Sequence, residues 1–279
     1  MLKMVFCDID GCMGEFIKQE YPLKQDLCKN RECLEKIKSK VNNFFIKDVV
    51  FGVCTGRSFY QADSIMHLAG YKGPSIFEMG NVIFEPEEGV YHLFERHEKF
   101  RSSLSVIKEF TEWKDEIAWE EEKIRKKFPN SKLRQIKDRT CMLTYEFEKN
   151  IAEELYSYLL IAMPKKFKEA IDKNILKVLK SKNALDIFPN LSKGEAVSYL
   201  LKKYNVQKNE VLAIGDSSHS DLDFLKSAGF IACPDNADET LKNFVLENNG
   251  FVVPNKFAGG VLNIFDLVEN YVKYAELRA

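Results

Sequence analysis

Five short apolar runs, Met4 to Cys7, Val49 to Cys54, Val211 to Ile214, Phe230 to Cys233 and Phe251 to Val253, constrain this chain more than any other feature. Each has strand length and β-type composition, and they run out into small or acidic residues. Between them, apolar side chains recur at helical spacing in Leu34/Ile37/Val41, Ala196/Tyr199/Leu200/Tyr204 and Leu241/Phe244/Val245. Apolar strands alternating with amphipathic helices predict an α/β fold, a doubly wound parallel sheet covered on both faces. With 45% hydrophobic residues, the 279-residue chain can bury the core of one large domain or two modest ones. Phe44, Phe45, Phe51 and Phe59 read as part of that core.

The alternation is interrupted once. Ser75-Ile76-Phe77-Glu78 and Val82-Ile83-Phe84-Glu85 flank Gly80-Asn81 and read as a hairpin on the edge of the sheet. After Pro86 the texture changes. A long charged helix (Lys99 to Lys127), a strand (Thr140 to Phe147), a helix (Ile151 to Met163) and two short strands follow, and the first pattern resumes at Phe188. This order predicts a host domain in two parts, 1–86 and 188–279, with an α+β domain inserted at 87–187.

Charge and apolar run length exclude several classes of function. Lys plus Arg number 41 against 42 Asp plus Glu, so nothing global attracts nucleic acid or an anionic membrane. No stretch reaches the length of a membrane-spanning helix. The opening residues meet Asp8 too soon for a signal peptide, and seven irregularly spaced cysteines suit buried thiols better than a disulfide framework. A soluble cytoplasmic protein is expected. Cys28 and Cys33 resemble half a zinc site, but no second pair with ligand spacing accompanies them.

Four strand or helix ends carry the chemistry. The first strand runs out into Asp8-Ile9-Asp10-Gly11, where a period of two sends both carboxylates to one side and Gly11 permits a sharp turn. Two carboxylates so close require either a shared proton or a cation. Cys54-Thr55-Gly56-Arg57 offers a hydroxyl, a glycine amide and a helix N-terminus beginning near Ser58, all suited to phosphate. Lys193 opens a helix, where its charge opposes the helix dipole unless an anion sits nearby. Gly215-Asp216-Ser217-Ser218-His219-Ser220-Asp221 supplies hard oxygen ligands of the kind magnesium prefers. The set reads as a phosphoryl-transfer site. Asp8 is the expected nucleophile, Asp10 the acid/base, and Lys193 and a cation neutralise charge on oxygen.

Asp8-Ile9-Asp10-Gly11, Thr55-Gly56-Arg57, Lys193 and Gly215-Asp216 with Asp221 resemble, in order and spacing, the four motifs of the haloacid dehalogenase superfamily. The resemblance implies a Rossmann-like core and a magnesium-dependent phosphatase with an aspartate nucleophile. It implies Asp8, the Asp10 carbonyl and Asp216 on Mg2+, with Thr55 and Lys193 on the phosphate, where the turn's own residues add Gly56 and Arg57 as expected phosphate contacts. Asp221 matches the second acidic position, one residue further on than in the commoner spacing, as ligand or lysine partner. An insertion between the threonine and lysine motifs corresponds to a C2 cap. Glu78-Met79-Gly80-Asn81 and Asp186 to Gly194 are similar to the type IIB, Cof-like branch that includes sucrose-, trehalose- and mannosyl-phosphoglycerate phosphatases. Met79 and Ser220 stand where that branch often has asparagine.

Lys123 to Arg139 is strongly basic. A solvated surface explains such a run, and a cap surface receiving a second anionic group of the substrate is the sharper alternative, with Arg134 and Arg139 its first candidates. Stacking aromatics do not interleave the charges, which argues against nucleic acid. His219 reads as a polar bystander. The expected partner is a small phosphorylated metabolite, a sugar phosphate. The rival readings are a phosphomutase and a non-catalytic binding protein of the same fold.

Overall fold

A computed structural model describes residues 2–14, 26–45, 48–117 and 121–276. In chain order the strands and helices are β1 (Met4–Cys7), α1 (Asp26–Phe45), β2 (Val50–Val53), α2 (Phe59–Ala69), β3 (Ser75–Phe77), β4 (Val82–Glu85) and β5 (Gly89–His92). There follow α3 (Leu104–Ile117), α4 (Glu121–Lys127), β6 (Arg134–Ile136), β7 (Leu143–Glu146), α5 (Ala152–Ala162), α6 (Lys165–Asp172), β8 (Leu176–Lys180) and β9 (Ala184–Pro189). The chain continues with α7 (Lys193–Lys203), β10 (Val211–Ile214), α8 (Leu222–Leu225), β11 (Phe230–Cys233), α9 (Glu239–Glu247), β12 (Phe251–Val252) and α10 (Phe257–Glu276).

The main sheet has the order β12-β11-β10-β1-β2, and all four neighbouring pairs are parallel. β1 is an interior strand, between β10 and β2, and fully buried, as its sequence Met-Val-Phe-Cys requires of a strand covered on both faces. The chain leaves β1 toward β2 on one side, and β10 lies on the other, so the connections diverge at the carboxyl end of β1. A crevice opens at such a switch point, and ligands of doubly wound sheets occupy it. Phe44 from α1, Phe51 from β2 and Phe265 from α10 pack with ring centroids 5.1–6.3 Å apart. Each such ring contributes about 1.5–3 kcal/mol by burial. Phe59 is half-buried and packs separately, against Phe77 and Phe84. The Phe45 and Cys28 side chains lie outside the described residues.

β3 and β4 form the expected antiparallel hairpin, with Ile76 opposite Ile83. It is not an edge of the main sheet, as the sequence suggested, but part of a separate three-stranded sheet with β5. Pro74 gives the physical reason. It has no N–H to donate, and its carbonyl oxygen lies only 1.8 Å from where a Cβ on Gly52 would be, so the ladder from β2 is broken there. A single bridge between Cys54 and Ile76 survives.

The chain divides into two compact units, Met1–Tyr91 with Ser192–Ala279, and His92–Leu191. The second unit is built on the antiparallel sheet β6-β7-β9-β8. Phe110, Leu143, Tyr145, Leu155, Leu159, Phe167, Leu185 and Ile187 form its core. Where one long helix was expected from Lys99 to Lys127, a short 3-10 turn at Glu98–Phe100 comes first and α3 begins only at Leu104. Phe188 and Pro189 still belong to β9, paired with Lys177 and Leu176, which carries the second unit past the expected boundary at 187.

Candidate active site

Asp8 is the first residue past β1, and its N–H donates to Ile214 O at 2.8 Å, fixing the strand end against β10. Its side chain is buried and Oδ1 lies 3.1 Å from Lys193 Nζ. Asp10 takes a different partner. Arg57 binds it in bidentate fashion, Nε to Oδ2 at 2.8 Å and Nη2 to Oδ1 at 2.5 Å. Arg57, expected on phosphate, therefore grips a carboxylate in this structure, and does so from a nearly buried position. Gly11 adopts φ +76°, and a Cβ there would fall 1.8 Å from Asp216 Oδ2. Glycine is needed at that point both for the left-handed turn and for the approach of the carboxylate.

Thr55 is fully buried at the end of β2, with Oγ1 accepting from Arg57 N at 3.2 Å. Ser58 caps α2 through a capping box with Gln61, so a helix N-terminus opens immediately after the Thr55-Gly56-Arg57 turn. The turn Glu78–Gly80 braces this loop. Glu78 N donates to Arg57 O at 2.9 Å, and Met79 Sδ would lie 3.1 Å from a Cβ on Gly56. Glu78, Met79 and Gly80 take successive positive φ values of 47°, 58° and 105°. A Cβ on Gly80 would meet Ser192 O at 2.3 Å, so the same turn also presses against the start of α7.

Lys193 is the first residue of α7, behind the N-cap Ser192 and its capping box with Glu195. Its ammonium lies 2.7 Å from Asp221 Oδ1 as well as near Asp8, with 1% of the side chain exposed. Asp221 is saturated by further bonds: Oδ2 accepts from Asp216 N at 2.9 Å and Ser217 N at 3.1 Å, and Oδ1 from Ser220 Oγ at 2.9 Å. It organises the loop after β10 while holding the lysine. His219 is exposed.

Carboxylate oxygens of Asp8, Asp216 and Asp221 lie within 4.8 Å of one another. Three ionised carboxylates and one ammonium sum to −2, and the pocket resists that charge. Burial raises Asp8 to about 7, Lys193 opposing and Asp221 and Asp10 reinforcing. Burial likewise raises Asp216 to about 8, with Asp8 and Asp221 adding to it. Burial alone would lower Lys193, but Asp221 and Asp8 outweigh it and hold the ammonium well above its usual value. The missing charge is that of a divalent cation, and a donor set of carboxylate oxygens suits Mg2+ rather than a softer metal. The residues present thus fit the ion expected from the sequence, through Asp8 and Asp216, with Asp221 beside them and its oxygens given to Lys193 and to the loop after β10. The Asp10 carboxylate, expected as the acid/base, is engaged by Arg57, and its expected part toward the ion is through the backbone carbonyl.

Other contacts at the site had no signal in the sequence. Asp223 Oδ2 accepts from Gly194 N at 2.9 Å, tying α7 to the loop after β10. Asn236 Nδ2 donates to Gly11 O at 2.7 Å, and Asp238 N donates to Asp216 O at 3.0 Å. Such bonds run to backbone atoms and depend on the path of the chain, not on residue pattern. In the second unit, Arg134 pairs with Glu146 (Nη2 to Oε2, 2.6 Å), and Thr144 Oγ1 bonds Asp186 Oδ1 at 2.7 Å. Arg139 is nearly buried, and its charge opposes the rise that burial imposes on Asp186.

The profile of the haloacid dehalogenase-like hydrolases matches residues 5–265. The phosphoglycolate phosphatase of Sulfolobus acidocaldarius is 25% identical over 244 residues, covering 87% of this chain and 88% of that protein. The sucrose-phosphatase of Synechocystis sp. PCC6803, solved with sucrose and phosphate, superposes with TM-score 0.60 at 17% identity, covering 95% of this chain and 99% of that one. Protein 0175 of Thermoplasma acidophilum gives TM-score 0.62 at 19% identity, covering 96% and 99%. At these identities the two solved structures establish a shared fold.

Proposed function

We propose, from the premise that this chain belongs to the haloacid dehalogenase-like hydrolases and is a phosphatase, that it hydrolyses a small phosphate monoester through an aspartyl phosphate on Asp8. The observation that carries the reading is the cluster of buried Asp8, Lys193 and Asp221 with half-buried Asp216 at the switch point of the sheet. An Asp8 carboxylate oxygen forms a bond to phosphorus as the bond from phosphorus to the leaving alcohol breaks, and Asp10 gives the alcohol its proton. In the second half Asp10 takes a proton from water, whose oxygen attacks phosphorus and displaces Asp8, releasing phosphate. Lys193 holds the attacking carboxylate and draws negative charge from the phosphoryl oxygens, while Thr55 and the Gly56 turn orient them. Asp8 and Asp216, with the Asp10 carbonyl, would hold Mg2+, whose positive charge would let the carboxylates ionise and the dianionic ester approach. Arg57 keeps Asp10 aimed until substrate enters.

The inserted unit is the proposed source of selectivity, with Arg134 and Arg139 the groups to test. A sugar phosphate suits the branch that the sequence resembles. The named Sulfolobus relative favours a second reading, phosphoglycolate, which carries a carboxylate as a second anionic group. Release of inorganic phosphate from a panel holding hexose phosphates, phosphoglycolate and an aryl phosphate, with and without Mg2+, tests the function. Magnesium-dependent release supports it; no release from any ester, or return of the phosphoryl group to a phosphorylated product, rejects hydrolysis.

A further inference from the structure

The turn that follows β11, Pro234-Asp235-Asn236-Ala237-Asp238, touches both acidic loops although it bears none of the clustered carboxylates. Asn236 reaches the first loop, its Nδ2 donating to Gly11 O at 2.7 Å, while its Oδ1 accepts from Phe257 N at 2.7 Å. Phe257 is the first residue of α10 and has φ 50°, an unfavourable conformation for an aromatic residue that this bond helps to hold. Asp238 reaches the second loop. Its N–H donates to Asp216 O at 3.0 Å, its Oδ2 accepts from Ser218 N at 2.5 Å, and its Oδ1 caps α9 at Leu241 N, 2.9 Å away.

The two loops meet where Gly11 has no side chain. Asp216 Oδ2 occupies the space a Cβ would fill, 1.8 Å from its ideal position. The position of the Gly11 peptide therefore decides where the Asp216 carboxylate can rest relative to Asp8. A shift of a few tenths of an ångström in that peptide moves one oxygen of the cluster against the others. From this chain of contacts we propose that Asn236 is a positioning residue: it clamps the Gly11 peptide to the N-terminus of α10 and thereby sets the spacing of the Asp8 and Asp216 carboxylates for a divalent cation. The inference rests on the reading of that cluster as a cation site. Asp238 plays the matching part on the other loop. Groups that orient ligands without touching the ion commonly change its affinity by about 10–100-fold when removed.

The test is Mn2+ binding to the full chain, read by electron paramagnetic resonance of the free ion, for the wild type, Asn236→Ala and Asn236→Ser. Thermal midpoints in EDTA are measured alongside. Asn236→Ala is expected to weaken Mn2+ by at least about tenfold. Asn236→Ser, which keeps a short donor, is expected to fall between it and the wild type and serves alone if the alanine variant does not fold. A merely structural role would lower the midpoint in EDTA and leave the dissociation constant unchanged in both variants, and that result overturns the positioning role. No Mn2+ binding by the wild type would overturn the cation site itself, and the positioning role with it.

Discussion

Replacing Lys193 by methionine removes one charge and keeps a side chain of similar length. In the wild type the ammonium lies 3.1 Å from Asp8 and 2.7 Å from Asp221, with 1% of the side chain exposed. Taking away one partner of a buried ionic group costs about 3–5 kcal/mol, because the charge left behind has neither water nor a counter-ion. That cost depends on pH in a direction the site fixes. Asp8 and Asp216 have folded pKa values of about 7 and about 8, above their ordinary carboxylate value. Near pH 5.5 (about that value) both hold protons in the folded chain, so the ammonium faces fewer ionised partners and its loss should cost about 1–3 kcal/mol. Near about pH 8.5 both are ionised and the full penalty applies. Urea unfolding of the two chains in EDTA at each pH measures the difference. A loss of stability that is the same at both would refute the electrostatic account and leave Lys193 a packing residue. The variant should also lose phosphatase activity and affinity for inorganic phosphate.

Magnesium should stabilise the chain more at high pH than at low. A raised carboxyl pKa means the metal-free fold binds more protons than the unfolded chain, so its stability falls as pH rises from about 4 through 8. Mg2+ must displace those protons at acid pH and none above about 8, so its effect on the thermal midpoint should be larger at about pH 8.5 than at about pH 5.5; the opposite order would contradict the site's charge balance. Gly11→Ala, with φ +76° and a Cβ aimed 1.8 Å from Asp216 Oδ2, should cost about 1–2 kcal/mol from backbone strain and weaken divalent-cation binding at least about tenfold; normal metal affinity would be inconsistent with the close approach. Arg139→Ala should raise KM for a substrate with two anionic groups by at least about tenfold, the scale of one charged hydrogen bond, while leaving KM for an aryl phosphate within about twofold. An equal change for both would remove Arg139 from substrate selection.

The strands and the polar residues at their ends were legible because both signals are local. Met4 to Cys7 is apolar without alternation, as a doubly covered strand must be, and Asp8 follows at once. Asp8, Thr55, Lys193 and Asp216 stand at strand or helix termini for the same reason. What escaped was decided by non-local partners. Arg57 reads as a phosphate ligand from its neighbours in sequence, yet its fork meets Asp10, 47 residues away in the chain. The hairpin was visible, but its separation from the main sheet depends on Pro74 crossing Gly52. The charged stretch before Lys127 has helical composition throughout, and nothing in it announces the 3-10 turn that delays α3 to Leu104. Asn236 carries no pattern at all, since an amide bonding two backbone atoms looks like any other loop asparagine.

Trapping the phosphorylated enzyme tests the central claim most directly. An Asp10→Asn chain, slowed in its second half-reaction, is quenched during turnover of an excess phosphate ester, digested and mapped by mass spectrometry. The account predicts a hydroxylamine-labile phosphoryl group on the peptide that carries Asp8, absent when Asp8→Asn is added. A phosphoryl group on another residue, or turnover by Asp8→Asn above about a thousandth of the wild-type rate, would contradict it.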